Sequence, residues 1–194
     1  MENHGYSSTI ASPGINQEVY KCYDDVGRRD DLLLSVGWSH YLKNLDYLLD
    51  GWRGMKTKPK LELFRIEPRL GKKNGVKYYY KPNDIQVARL YNRATVFAQT
   101  SLHEGFCLPI LEAMACGCPV VCTDADGNLD FCVDGKNCLI VAKDDVNALT
   151  GALESLLRDE GLRERLSREG KRTAEKYVWD MQNTLLEAFM YDLK

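Results

Sequence analysis

Two short apolar runs, Ala94 to Gln99 (ATVFAQ) and Pro119 to Thr123 (PVVCT), constrain this chain more than any other feature. Each is too short for a helix and lacks a polar/apolar alternation, so each reads as a strand buried on both faces of a parallel sheet. Parallel neighbours cannot be joined by a hairpin; they need a crossover, usually a helix. The residues between the two runs supply one. Pro109 suits a first helical turn, where its missing N–H would have had no partner, and Gly117 suits the far end. The spacing predicts a helix that starts near Leu108.

A helix opening at the carboxyl end of a parallel strand points its unpaired N–H groups, and the positive end of its dipole, into the crevice where open α/β sheets bind ligands. Gly105 lets backbone approach a ligand closely. Glu104 lies just before the helix and Glu112 one turn inside it, so both carboxylates are expected to face the same crevice. His40 and His103 flank it. Either could hold a phosphate or a hydroxyl, or be an ordinary loop residue.

The rest of the chain repeats the pattern. Leu32 to Gly37 (LLLSVG) predicts a first buried strand, and Leu42, Leu45, Leu48, Leu49 and Trp52 follow at helical spacing. Lys43 falls in the first turn of that helix, where the dipole disfavours a cation unless an anion accompanies it. A phosphate ligand and a solvated lysine are its two readings. Lys60 to Ile66 alternates as a strand does. Glu67 to Gly75 is too short and too rich in breakers for a helix, so the crossover helix is expected to be lost and Val76 to Tyr80, the next strand, to be reached by a bare loop. Asn83 and Asp84 cap a helix carrying Ile85, Val87, Ala88 and Tyr91.

After Thr123 comes Asp124-Ala-Asp-Gly-Asn128, in which an Asp-x-Asp could hold a metal-diphosphate, while Gly127 and Asn128 are expected to line the pocket. Lys136 to Val141 predicts the last strand. Three amphipathic stripes, beginning at Val146, Leu162 and Val178, predict helices packed on the sheet.

A length of 194 residues suffices for one α/β domain with a substantial core, and a formal charge of -2 with interspersed signs offers nothing to nucleic acid. No apolar run approaches the ~20 residues of a spanning helix. Met1 to Ser12 is too polar for a signal peptide, so a cytoplasmic location is expected. Cys22, Cys107, Cys116, Cys118, Cys122, Cys132 and Cys138 are odd in number, show no C-x-x-C spacing and read as reduced core residues. Cys116, Cys118 and Cys122 match no usual zinc-ligand spacing. No G-x-G-x-x-G follows the first strand, which disfavours an NAD-binding domain.

Glu104 and Glu112, with seven residues between them inside EGFCLPILEAMACGCPVV, resemble the E-x7-E signature of retaining glycosyltransferases of the two-domain GT-B architecture, family 4 in particular. The likeness runs from about Leu32 to Asp180 and is strongest over Ala94 to Cys122. It implies a doubly wound, Rossmann-like α/β domain, the C-terminal donor-binding half of such an enzyme. Residues 1–30 would be the linker leading in, 31–180 the nucleotide-sugar-binding domain, and 181–194 a helix crossing to an N-terminal domain absent from the chain.

The implied reaction moves a sugar from a nucleoside diphosphate sugar, UDP- or GDP-linked, to an acceptor with retention at the anomeric carbon, without metal or cofactor. By resemblance, Glu104 contacts hydroxyls of the donor sugar and Glu112 takes both ribose hydroxyls. The amides of Gly105, Phe106 and Cys107, ahead of Leu108, reach the sugar or phosphate. Gly37-Trp-Ser-His-Tyr-Leu-Lys-Asn44 is similar to the G-R-x-x-x-x-K-[GN] stretch that binds the diphosphate. Gly37 and Lys43 are kept; Trp38 stands where the arginine is expected, and Arg65 or Arg69 would have to substitute. The resemblance assigns Glu104 and Lys43 to catalysis, and both to donor binding together with Gly37, Trp38, His103, Gly105 to Leu108, Glu112, Gly127 and Asn128.

The implied partners are a nucleotide sugar and an acceptor glycan or lipid, the acceptor brought by the absent domain or a partner chain, with peripheral membrane association through that domain. The isolated domain is then expected to be inactive. A catalytically silent nucleotide-sugar-binding module or regulatory subunit is the alternative, favoured by Trp38 and the lost crossover helix.

Overall fold

The structure is a computed structural model, and it describes residues 12–37, 40–65 and 75–192. Along the chain run β1 (Leu32–Val36), α1 (Leu45–Gly54), β2 (Lys60–Arg65), β3 (Val76–Tyr80), α2 (Asp84–Arg93), β4 (Val96–Gln99), α3 (Leu108–Ala115), β5 (Val120–Thr123), β6 (Leu139–Val141), α4 (Val146–Arg158), α5 (Glu160–Ala174) and α6 (Trp179–Asp192). The six strands make one sheet in the order β3-β2-β1-β4-β5-β6, with every pairing parallel. This is the Rossmann-like, doubly wound α/β arrangement. The strand order reverses between β1 and β4, which leaves a crevice at their carboxyl ends.

The apolar runs explain both faces of the sheet. Side chains alternate along a strand, so a run with no polar residue must be covered twice. Leu32 and Leu34 pack with Tyr91, Phe97, Ile110 and Leu111, under α2 and α3. Leu33, between them, packs with Leu48, Leu61, Val96 and Leu149, under α1 and α4. The strand that alternates, β2, sits nearer the edge. Its Leu61 and Leu63 are buried, and so is Glu62 on the opposite face, where the Arg93 guanidinium pairs with its carboxylate and also donates to Tyr79 Oη at 2.8 Å.

β3 pairs with β2 from Leu61↔Val76 to Arg65↔Tyr80 and forms the half-buried edge. Residues 66–74, on which the expected loss of a crossover helix falls, lie outside the described residues, as do Trp38 and Arg69.

Helix α3 begins at Leu108 with Pro109 in its first turn. It ends on Gly117, whose φ of +66° lets its N–H reach Met114 O while the Cys118 N–H reaches Ala113 O. This left-handed stop is one that glycine adopts at little cost.

The expectation for Lys43 is corrected. It sits in a separate 3-10 turn, Tyr41–Lys43, rather than in the first turn of α1, because Asn44 takes a left-handed conformation (φ 47°, ψ 47°) that interrupts the helix. The stretch before β1 is fastened to the body: Ile15 is buried and exchanges backbone hydrogen bonds with Tyr177 and Trp179, and Tyr20 is buried in the core. Helix α6 leaves Met181, Leu185, Leu186 and Met190 about half exposed. Among the described residues no helix is long and apolar enough to cross a membrane.

Candidate functional site

The carboxyl ends of β1 and β4 are neighbours in the sheet, and the loops leaving them are laced together. Leu102 N donates to Leu42 O at 2.7 Å, and Thr100 Oγ1 donates to Lys43 O at 3.2 Å. These ties place Lys43 Nζ 2.6 Å from Glu104 Oε1. The same oxygen accepts from Ser101 Oγ at 2.5 Å and Gln99 Nε2 at 2.9 Å. Gln99 is a polar residue buried at the end of an otherwise apolar strand, and holding Glu104 accounts for it.

Beside this pair lies a cavity of about 290 Å³. Tyr20, Phe64, Val87 and Pro109 form apolar walls, and Lys43, Lys81, Asp84 and Glu112 bring polar groups to it. Glu112 and Lys43 therefore share one hollow, whereas Glu104 is joined to it through Lys43. Burial pushes the Glu112 carboxyl up to about 7, against the opposing hydrogen bond from the Tyr91 hydroxyl. Tyr91 Oη donates to Glu112 Oε2 at 3.2 Å. Burial, and next the charge of Glu112, raise the pKa values of both Tyr20 and Tyr91, so their hydroxyls stay protonated donors.

A hollow of about 320 Å³ lies at the other ends of the strands, lined by Arg28, Arg29, Gly117 and Arg163 among others. Its arginines are engaged elsewhere: Arg28 with the main-chain carbonyls of Ala94 and Cys116, Arg163 with those of Leu156 and Leu157, and Arg29 with the Asp31 carboxylate at 3.4 Å. Size alone does not make it the site, because ligands of open parallel sheets bind outside the carboxyl ends.

Gly105 keeps open space around it: a Cβ there would meet nothing within 4 Å. The side chain of Phe106 turns away into a cluster with Phe131 and Tyr177, at 5.3 and 5.6 Å between ring centroids. Cys107 caps α3 in a left-handed conformation (φ 71°) that glycine would adopt more cheaply. Its thiol is held protonated by burial and then by the nearby Glu104 carboxylate. Leu108 is half-buried at the helix start, and Gly37 packs against Leu63, with its N–H donating to Phe64 O at 2.7 Å.

Two expected pocket residues do different work. A Cβ on Gly127 would lie 2.0 Å from Gly105 O, and the Gly127 N–H donates to Glu104 O at 3.1 Å, so this glycine clamps the Glu104 loop. Asn128 is 0% exposed, with Nδ2 donating to Thr123 O at 2.8 Å. Its side chain faces the interior instead of lining a pocket, because the loop turns inward after Gly127. His103 lies at the surface with Nδ1 2.6 Å from Asp126 Oδ2, and Lys143 Nζ is 3.6 Å from the same oxygen. The hydrogen bond from His103, then Lys143, lowers the Asp126 pKa. His40 caps the 3-10 turn, its Nδ1 accepting from Leu42 N at 3.4 Å. Among the described residues the thiols that gather are Cys122, Cys132 and Cys138, and not Cys116, Cys118 and Cys122.

Sequence reasoning missed Tyr20, Tyr91, Lys81, Gln99 and Ser101. Only Gln99 left a signal, as the one amide in an apolar run.

The family model for glycosyl transferases group 1 matches residues 26–173, spanning all six strands and both acids. The chain belongs to this family. Among the relatives of this group 1 chain is the O-antigen chain mannosyltransferase B of Escherichia coli, 32% identical over 133 residues, 69% of this chain and 34% of that protein. Sucrose-phosphate synthase from Thermosynechococcus elongatus superposes with a TM-score of 0.86 at 20% identity, covering 94% of this chain and 52% of that one. Anabaena HepE in complex with UDP-glucose superposes at 0.80 with 18% identity, covering 92% and 56%. The glycosyl transferases group 1 chain thus spans about a third to a little over half the length of these relatives, and the two structures are GT-B glycosyltransferase neighbours in fold.

Proposed function

We propose that this chain is the donor-binding half of a retaining glycosyltransferase that moves a sugar from a nucleoside diphosphate sugar to an acceptor. The observation that carries the reading is the convergence of Lys43 and Glu112 on one cavity at the strand-order reversal, with Glu104 paired to Lys43 beside it. Glu112 takes the ribose hydroxyls, which a carboxylate's two oxygens can accept together. Lys43 releases Glu104 and turns to the diphosphate, leaving Glu104 to hold the sugar. As the donor bond breaks, negative charge grows on the leaving diphosphate. Lys43 and the first-turn amides of α3 are fixed donors that stabilise it without a metal ion. The HepE complex with UDP-glucose supports this donor class. The acceptor is brought by a domain or partner outside this chain.

The test is calorimetric titration of the chain with UDP, GDP and ADP and their glucose or mannose conjugates, repeated on Glu112→Ala. One nucleotide series binds and is lost in the variant; binding that survives Glu112→Ala would sink the reading. A catalytically silent binding module, favoured by the Trp38 substitution in the sequence, would bind donor yet give no acceptor-dependent turnover once the rest of the enzyme is supplied.

A further inference from the structure

Cys122 is the third residue of β5, Cys138 stands immediately before β6, and Cys132 lies in the connection between them. Parallel pairing of the strands, Cys122↔Ile140, brings the first two together, and the connection folds Cys132 onto them. The three Sγ atoms lie within 4.8 Å of one another, with Cys122 and Cys132 at 4.0 Å. All three are unbridged and at most 4% exposed.

Sulfurs placed around one metal ion at ~2.3 Å in a trigonal plane stand roughly 4 Å apart, close to the spacing here. A scattered buried cysteine is an ordinary small core residue. This cluster carries a further polar feature. Asn128 Nδ2 lies 3.4 Å from Cys122 Sγ as a donor, the kind of outer bond that supports a thiolate ligand. Asn128 Oδ1, in the same buried amide, has no hydrogen-bond partner.

We propose that Cys122, Cys132 and Cys138 form a site for one thiophilic d10 metal ion, with Cu(I) the best match, because three sulfurs complete its coordination whereas zinc asks for a fourth ligand. Each ligating thiol gives its proton to solvent on uptake. The ion stabilises the folded chain, since the unfolded chain holds no preformed site. Gly127, in the same connection, is pressed against the Glu104 loop, so the ion also stiffens the support of that loop.

The experiment is anaerobic titration of the reduced chain with Cu(I) buffered by bicinchoninate, with Zn(II) titrated in parallel. The expected result is withdrawal of one equivalent of Cu(I) from the chelator, an ultraviolet sulfur-to-copper charge-transfer band, a higher Tm, and, in denaturant that opens the metal-free chain, protection of these three cysteines from alkylation relative to that metal-free chain, which needs no variant. Cys132→Ala and Cys138→Ser, checked for folding by circular dichroism, lose at least tenfold in affinity, while Cys118→Ala does not. No uptake, uptake unchanged in both cluster variants, or protection of other cysteines would overturn the site. Preference for Zn(II) would overturn the Cu(I) assignment. Absence of metal uptake, together with a disulfide among the three once oxidised glutathione is added to take the two electrons, would overturn the metal site in favour of a redox pair.

Discussion

Lys43 Nζ and Glu104 Oε1 stand 2.6 Å apart with 16% and 12% of their side chains exposed, so the cation and the acid neutralise each other across the carboxyl ends of β1 and β4. Removing Lys43 from so covered a pair leaves the Glu104 carboxylate with the neutral donors of Ser101 and Gln99, and removing Glu104 takes the carboxylate from a covered cation, each at a cost of about 3 kcal/mol. Lys43→Met and Glu104→Gln should each destabilise the chain, and the double variant should cost less than the two singles combined, by roughly 1 to 3 kcal/mol. Urea unfolding of the four proteins measures this. Simple additivity would mean the pair contributes nothing.

Glu112 makes stability depend on pH. Its pKa is 4.5 when unperturbed and about 7 in the folded chain, chiefly through burial. The folded state therefore binds the proton more tightly than the unfolded one. The contribution to stability is fully present below about pH 4.5 and is lost as pH rises through about 7, a change of about 3 kcal/mol. Glu112→Gln should remove this component of the slope and be the more stable protein at alkaline pH. Equal slopes for wild type and variant in denaturation across this window would refute the assignment.

Gly105 and Gly127 touch each other yet should respond oppositely to alanine. At Gly127 a Cβ would press to 2.0 Å on Gly105 O and 2.7 Å on Glu104 O, both main-chain atoms that cannot swing aside. Gly127→Ala should cost more than about 3 kcal/mol. A Cβ added at Gly105, by contrast, would meet nothing within 4 Å. Gly105→Ala should melt with wild type and lose donor affinity, by about tenfold or more if backbone closely approaches the ligand there. Thermal melts and calorimetry together separate the two roles.

Asn128→Ala should lower stability by about 1 to 3 kcal/mol, because Thr123 O keeps its burial and loses its donor. Asn128→Asp should cost at least as much, since a carboxylate there cannot donate. An unchanged Tm for the alanine variant would show the hydrogen bond to be dispensable.

Much of the sheet was legible because its strands are short, apolar and bounded. Leu32, Leu33 and Leu34 could be uninterrupted only if both faces were covered. Pro109 and Gly117 marked the ends of α3 through their own backbone preferences. Lys43 was misplaced by one structural element, since Asn44 can either continue a helix or turn left-handed, and the local sequence does not choose. The inward turn of Asn128 and the walls given by Tyr20 and Lys81 depend on contacts between distant segments, which leave no periodic trace. The thiol cluster was hidden for the same reason. Cys116, Cys118 and Cys122 are close in sequence, yet Cys118 and Cys122 lie along one extended strand region, and Cys122 meets Cys138 only through the pairing of β5 with β6.

Ile15 is gripped on both sides of Val178: its N–H donates to Tyr177 O and its C=O accepts from Trp179 N, while Gly14 lies against the main chain at the start of α6. Five residues further on, Tyr20 walls the cavity that holds Glu112. The start of α6 and the wall of the cavity are thus joined by the short stretch from Ile15 to Tyr20, so that the backbone splice around Val178 and the Glu112 cavity share one piece of chain.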